Sequence, residues 1–169
     1  MIDYPYDRDR ASWDRGRSFE IRASKVFRER GYTVIPSTRD EDYYLHTDFW
    51  VEIDKARWSI DCKAMKSIKR GMVAQDRYTY VEFKNNAGYE GWLITGADFI
   101  VFEKQSGLVI VNRLGLLTFC KEKCDLECLV DNPINSLYKA YTRVGRGDLI
   151  SMIDLEDLPS NIKKEWKIK

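Results

Sequence analysis

The chain has 169 residues, 44% hydrophobic and 33% charged, a composition that excludes a disordered or fibrous protein and fits one domain with an ordinary core. Lys and Arg number 28 against 27 Asp and Glu, a net charge of +1, so an anionic partner must be met by locally placed cations rather than by the field of the whole molecule. No apolar run reaches the length of a membrane span and the charged, Tyr-rich start is unlike a secretory leader, so a cytoplasmic protein without membrane contact is expected.

Residues 13–30 read as the first helix, because Phe19, Ala23, Val26 and Phe27 recur at helical spacing and Gly31 supplies a C-terminal stop. Glu20 sits at the margin of that apolar stripe, where a carboxylate can point into a cleft. The β-branched run 32–36 closes at Pro36 as a strand, and the acidic stretch 37–45 reads as an exposed loop. Two strands follow at 47–53 and 57–64, and the short link 54–56 makes them an antiparallel hairpin. The basic stretch 66–70 continues to Asp76 as a loop or short helix. Residues 78–83 form a strand and 84–88 a turn; 91–94, 98–102 and 108–111 complete a strand-rich middle, with a hairpin turn at Gly107. Residues 113–123 are Leu-rich and helical, 131–133 a break, 138–147 a flexible basic loop and 149–153 the final strand. The Lys-rich tail 162–169 is a short helix or frayed.

Cys120, Cys124 and Cys128 recur at i, i+4 and i+8, which a helix would place on one stripe. Cys-x-x-Cys spacing is absent, so these three and Cys62 are expected as partly buried free thiols rather than metal ligands or disulfides. His46, the lone histidine, has no partner of zinc-binding spacing.

Alternation along 57–64 turns Ile60 and Cys62 to one face and Ser59, Asp61 and Lys63 to the other. Counted outward from the hairpin turn, Asp48 and Lys63 lie at similar depth, so spacing brings Asp48, Asp61 and Lys63 together. Isolated Asp-x-Lys is common on solvated strands; here it stands beside an acid on the neighbouring strand and behind a Glu-bearing helix. Two converging carboxylates suit Mg²⁺, which takes a few oxygen ligands and keeps several waters, and the Cys62 backbone carbonyl can add another oxygen. Lys63 would hold the attacking water or neutralise the transition state, and Glu20 would give a second-metal or outer contact. Those residue types point to metal-assisted phosphodiester hydrolysis.

Glu20 on a first helix, Asp48 on a strand and Asp61-Cys62-Lys63 on the next resemble the PD-(D/E)xK nuclease superfamily over roughly residues 18–103. Their order and the compact size are most similar to its phage-type and Holliday-junction-resolving endonucleases. The resemblance implies an α/β, restriction-endonuclease-like core, a mixed sheet of four to six strands flanked by helices, spanning about 14–112 with an extension over 113–169. It implies Mg²⁺-dependent DNA cleavage with Mn²⁺ as a substitute, a homodimer of the kind resolvases form, and the host cytoplasm for a phage-encoded chain. Asp48, Asp61 and the Cys62 carbonyl become metal ligands, Lys63 the catalytic lysine and Glu20 an accessory acid that also contacts metal. Thr47 stands where the family has a proline, and Asp61 where Glu is commoner. Glu82-Phe83-Lys84 is a second acid-x-Lys, with Asp61 as its upstream acid, and ranks behind because Asn85, Asn86 and Gly88 read as a strand end and turn. Gln75 is a candidate phosphate or water holder, set against an ordinary surface amide. Lys66, Lys69, Arg70 and Arg77 are expected on DNA phosphates, joined by Arg143 and Arg146. The alternatives are an exonuclease or nickase in repair or phage genome processing, and a non-catalytic DNA-binding module.

Overall fold

The computed structural model describes residues 11–69 and 71–168. Helix α1 (Ala11–Glu29) buries Phe19, Ala23, Val26 and Phe27, and Gly31, at φ +87°, turns the chain out of it. The next strands are β1 (Thr33–Pro36), β2 (Phe49–Ile53) and β3 (Ala56–Lys63), paired antiparallel in that order. Asp54 and Lys55, the two residues between β2 and β3, take positive φ of 50° and 66°, the sense a two-residue hairpin of twisted strands requires. That turn sets the register, in which Phe49 faces Ile60.

Beyond it come β4 (Tyr78–Lys84), α3 (Trp92–Thr95), β5 (Phe99–Lys104), β6 (Gly107–Asn112) and α4 (Arg113–Lys123). The chain ends with β7 (Asp125–Val130), β8 (Lys139–Tyr141), β9 (Leu149–Asp154) and β10 (Lys163–Lys167). One sheet has six strands in the order β1-β2-β3-β5-β6-β10, and β3 and β5 in its middle run parallel. The second has four, β4-β9-β8-β7. The fold is therefore α/β, with mixed sheets and flanking helices. α1 packs on one face of the large sheet through Phe49, Val51, Ile60, Val101 and Leu108. The other face, carrying Ile100, Phe102, Val109 and Val111, packs with α3, α4 and the inner residues of β4 and β9.

Several segments depart from the sequence expectations. The stretch expected as a loop at 37–45 contains α2 (Arg39–Leu45), because Thr38 and Glu41 form a reciprocal cap: Thr38 Oγ1 accepts the Glu41 N–H at 3.2 Å and the Thr38 N–H donates to Glu41 Oε2 at 2.7 Å. Residues 91–94, read as a strand, form α3. Its C-terminal carbonyls are taken by Arg113, which donates to Leu93 at 3.2 Å and to Ile94 and Ala97 at 2.8 Å. A Cβ at position 91 would lie 2.3 Å from the Glu82 carbonyl oxygen, so glycine there permits α3 to sit tight against β4. The basic loop at 138–147 contains β8, and β7 before it was not anticipated. The tail is strand β10, anchored by Trp166, whose ring meets Phe27 edge-on at 5.0 Å. α4 ends at Lys123, so Cys120, Cys124 and Cys128 share no helical stripe; all are free thiols. Among the described residues no helix is long and apolar enough to cross a membrane.

Glu41 also accepts the Trp50 indole N–H at 3.2 Å through its other oxygen, which fastens α2 to β2 just beside Asp48. Thr38→Ala should cost about 1 kcal/mol of stability, read from urea denaturation; an unchanged midpoint would show that the cap contributes nothing.

Candidate functional site

Asp48 immediately precedes β2. Its backbone N–H donates to the Ile60 carbonyl at 2.8 Å, extending the hairpin ladder by one bond. Its carboxylate Oδ2 accepts the Cys62 N–H at 2.6 Å and so lies against the backbone of β3. On β3 the alternation holds: Ile60 and Cys62 pack with the α1 cluster, whereas Asp61 Oδ2 stands 2.7 Å from Lys63 Nζ. The Lys63 ammonium lies 4.9 Å from the centroid of the Trp92 ring, a residue of the opposite core cluster. Asp61 is 3% exposed. The Lys63 ammonium is the charge partner of its Oδ2.

Desolvation dominates the electrostatics here. Burial, followed by the like charge of Asp61, pushes the Asp48 carboxyl up to about 8, although the Cys62 N–H favours its ionised form. Burial raises Asp61 as well, against the opposing charge of Lys63. Burial alone would lower the Lys63 ammonium, but Asp61, with Asp48 and Glu82 behind it, outweighs that and raises it. Glu20, partly buried on α1, is raised by burial while Arg17, 3.1 Å away, opposes the shift. The charges of Asp61 and Asp48 reach Glu20 and one another, so the three acids occupy one region.

Among the described residues, no set of three or more His, Cys, Asp or Glu groups closes to metal-holding distance. Two of the three acids are turned to cations instead, Glu20 to Arg17 and Asp61 to Lys63. Glu20 and Asp48 line a cleft of about 170 Å³ whose wall also carries Arg17 and Arg28.

The remaining candidates fall in three groups. Lys66 and Lys69 are exposed on the loop after β3, and Glu82 on β4 lies within electrostatic reach of Lys63 and Lys66. Lys84 is exposed at the end of β4. Arg77 is engaged by Asp154, 2.9 Å from Nε and 2.8 Å from Nη2, at the far end of β9. Arg143 pairs with buried Asp148 and donates to Asn86 at 2.8 Å, and Arg146 reaches the same Asn86 oxygen at 3.4 Å. Arg70 lies outside the described residues. Gln75 is a loop clamp: its amide nitrogen donates to the Lys66 and Tyr78 carbonyls at 3.0 and 2.7 Å, and its oxygen accepts the Arg77 and Tyr78 N–H groups at 2.9 and 2.6 Å. His46 caps α2 at φ 47°, and its charge tends to lower Asp61.

Two supports had no signal in the sequence. Trp92 gives Lys63 its aromatic floor. Glu103 on β5 accepts the Met65 N–H at 2.8 Å and pairs with Arg22 of α1, holding the chain just past Lys63 to the first helix. Both arise because parallel pairing sets Lys63 opposite Phe102, a long-range register that local spacing does not carry.

An acid whose folded pKa is raised holds its proton more tightly when folded. It therefore favours the fold below its unfolded value of 3.8 and loses that advantage as pH rises to about 8. In metal-free buffer the protein should be more stable to urea at about pH 5 than at about pH 8.5, by on the order of a few kcal/mol. Asp48→Asn, which keeps an acceptor for the Cys62 N–H, should flatten the slope. Equal slopes in both proteins would contradict a desolvated Asp48.

No protein-family model matches this chain, and no curated protein matches it.

Proposed function

We propose that this protein is a metal-dependent DNA endonuclease of the PD-(D/E)xK type, hydrolysing phosphodiesters at the Asp48, Asp61 and Lys63 cluster. One observation carries the reading. The carboxylate of Asp61, 3% exposed, lies 2.7 Å from one lysine and beside a second acid, Asp48, whose ionised form its charge and burial oppose. Two desolvated acids sharing a single ammonium form a like-charge cluster that a bound cation would relieve. The donor set is hard oxygen, which fits Mg²⁺ or Mn²⁺ and not a thiolate-seeking ion. Two carboxylates suffice for Mg²⁺, which keeps several waters, so a closed set of three acids is not required.

Asp48, Asp61 and the Cys62 carbonyl would hold the ion, and Glu20 would complete its outer contacts after release from Arg17. When bound, such an ion acidifies a water and offsets charge on the phosphate. Lys63 stays protonated through Asp61 and donates hydrogen bonds to the attacking water or to a non-bridging phosphate oxygen, where charge grows in the transition state. Trp92 limits the directions open to that ammonium and keeps bulk water from its back. Arg17 and Arg28 on the cleft wall, with Lys66 and Lys69 on the loop, supply the sequence-independent contacts to flanking phosphates.

Supercoiled, linear and four-way-branched DNA, each incubated with Mg²⁺, Mn²⁺ or EDTA, provide the test. Wild type should nick or cut with either metal and not in EDTA. Lys63→Ala should lower the rate about 10²–10³-fold, as expected for loss of a transition-state donor, while retaining DNA binding. Product patterns separate internal cutting from digestion at ends. A wild-type chain that binds DNA but leaves all three forms intact under both metals would refute catalysis.

A further inference from the structure

A second cleft, of about 300 Å³, opens between the loop after β3 and the four-stranded sheet. Tyr80 of β4, Tyr141 of β8, Lys66, Lys69 and Arg143 line it together with Trp92, whose ring also meets the Lys63 ammonium. The same indole thus borders both sites. The Tyr80 hydroxyl donates to the Ile68 carbonyl at 2.8 Å and lies 3.1 Å from the Pro133 carbonyl, so this wall holds the lysine-bearing loop in place. The Gln75 bonds to Lys66 and Tyr78 brace the other end of that loop. Arg143 is fixed by Asp148 and Asn86. Glu82 is the acid of the cleft, and its charge reaches Lys63 and Lys66.

A lining that combines exposed lysines with aromatic rings suits a ligand that carries both a phosphate and a flat ring. A volume near 300 Å³ is the lower end of what holds a small organic ligand; it admits one nucleotide and is too small for a base pair with both backbones. We propose that this cleft takes a single unpaired nucleotide of the DNA strand next to the scissile phosphate, with its phosphate at Lys66 and Lys69 and its base against Tyr80 and Tyr141. The inference rests on the nuclease reading for its substrate. It makes a gap, bulge or branch point the preferred target, because intact duplex offers no free base without the cost of unstacking one.

The experiment uses the full chain in Ca²⁺ without Mg²⁺, and DNA carrying 2-aminopurine either in a one-nucleotide bulge or fully paired. Wild type should quench the bulged fluorophore by stacking and bind that DNA roughly tenfold tighter than the paired form, the size expected for one stacked base. Tyr141→Leu should lose the quenching and reduce the preference to within about twofold. The exposed-site variant Lys69→Glu should weaken bulged DNA more than paired DNA. Equal wild-type binding of both DNAs, or wild-type quenching and preference retained in both variants, overturns the proposal. Cleavage is read separately with Mg²⁺. Quenching and preference without cleavage would sink the nuclease reading and leave the cleft, and cleavage without preference would do the reverse.

Discussion

The ion pair between Asp61 and Lys63 is the constraint to which the surrounding structure answers. A lone carboxylate removed from water costs several kcal/mol even after relaxation, and breaking a buried pair costs about 3–5 kcal/mol. The exposed Lys25 and Glu29 pair on α1, 3.8 Å apart, is by contrast worth at most about 1 kcal/mol. Burial makes the difference, and it also makes the pair demanding. Lys63 must be held over Trp92, and Trp92 must be seated by α3, which glycine at position 91 allows to pack against β4. A well-packed apolar pair of similar volume would serve stability as well or better. Charges at this position therefore add little to the fold, which is in keeping with the chemistry proposed for the site.

Register delivers those charges. The two-residue turn at Asp54 and Lys55 fixes Phe49 opposite Ile60, and the Asp48 N–H bond to Ile60 carries the pairing one residue further. A slip of one residue on β3 would turn Asp61 into the apolar cluster under α1 and bring Cys62 out in its place. Phe49, Val51 and Ile60 in that cluster make the slip prohibitive. The Asp48 carboxylate adds a side-chain bond to Cys62, so the residue that would bind a cation also reports the register. The hairpin geometry and the placement of the two carboxylates are specified by the same few contacts.

Much of this was legible locally. The stripe Phe19, Ala23, Val26 and Phe27, the hairpin, and the shared face of Asp61 and Lys63 follow from periods of 3.6 and 2 that any reader can count. Illegible were features decided at a distance. Trp92 reads as one more strand aromatic until Arg113 caps the short helix from 20 residues away. Trp166 gives no sign in a lysine-rich tail that it will anchor an edge strand on Phe27. The acidic run at 39–42 obscured a capping box that its own spacing, Thr38 to Glu41, could have disclosed. Gln75 reads in the sequence as a surface amide or a ligand holder, and its four hydrogen bonds, made across the loop, make it a loop clamp.

A net charge of +1 leaves little long-range field to draw in a polyanion, and at physiological ionic strength fields fade over about 8 Å. Attraction must come from cations within that distance of where the strand lies. Arg17, paired with Glu20, and Arg28 line the cleft of Glu20 and Asp48, and Lys66 and Lys69 line the second cleft. Among the described residues beyond β3, Arg77 is paired with Asp154 and Arg143 with Asp148, so part of their charge is already met by the fold. On the proposed reading, a strand at the site would meet two short sets of cations, one in each cleft. So few contacts would position a backbone more than grip one, and the demand for affinity would fall on whatever the clefts hold.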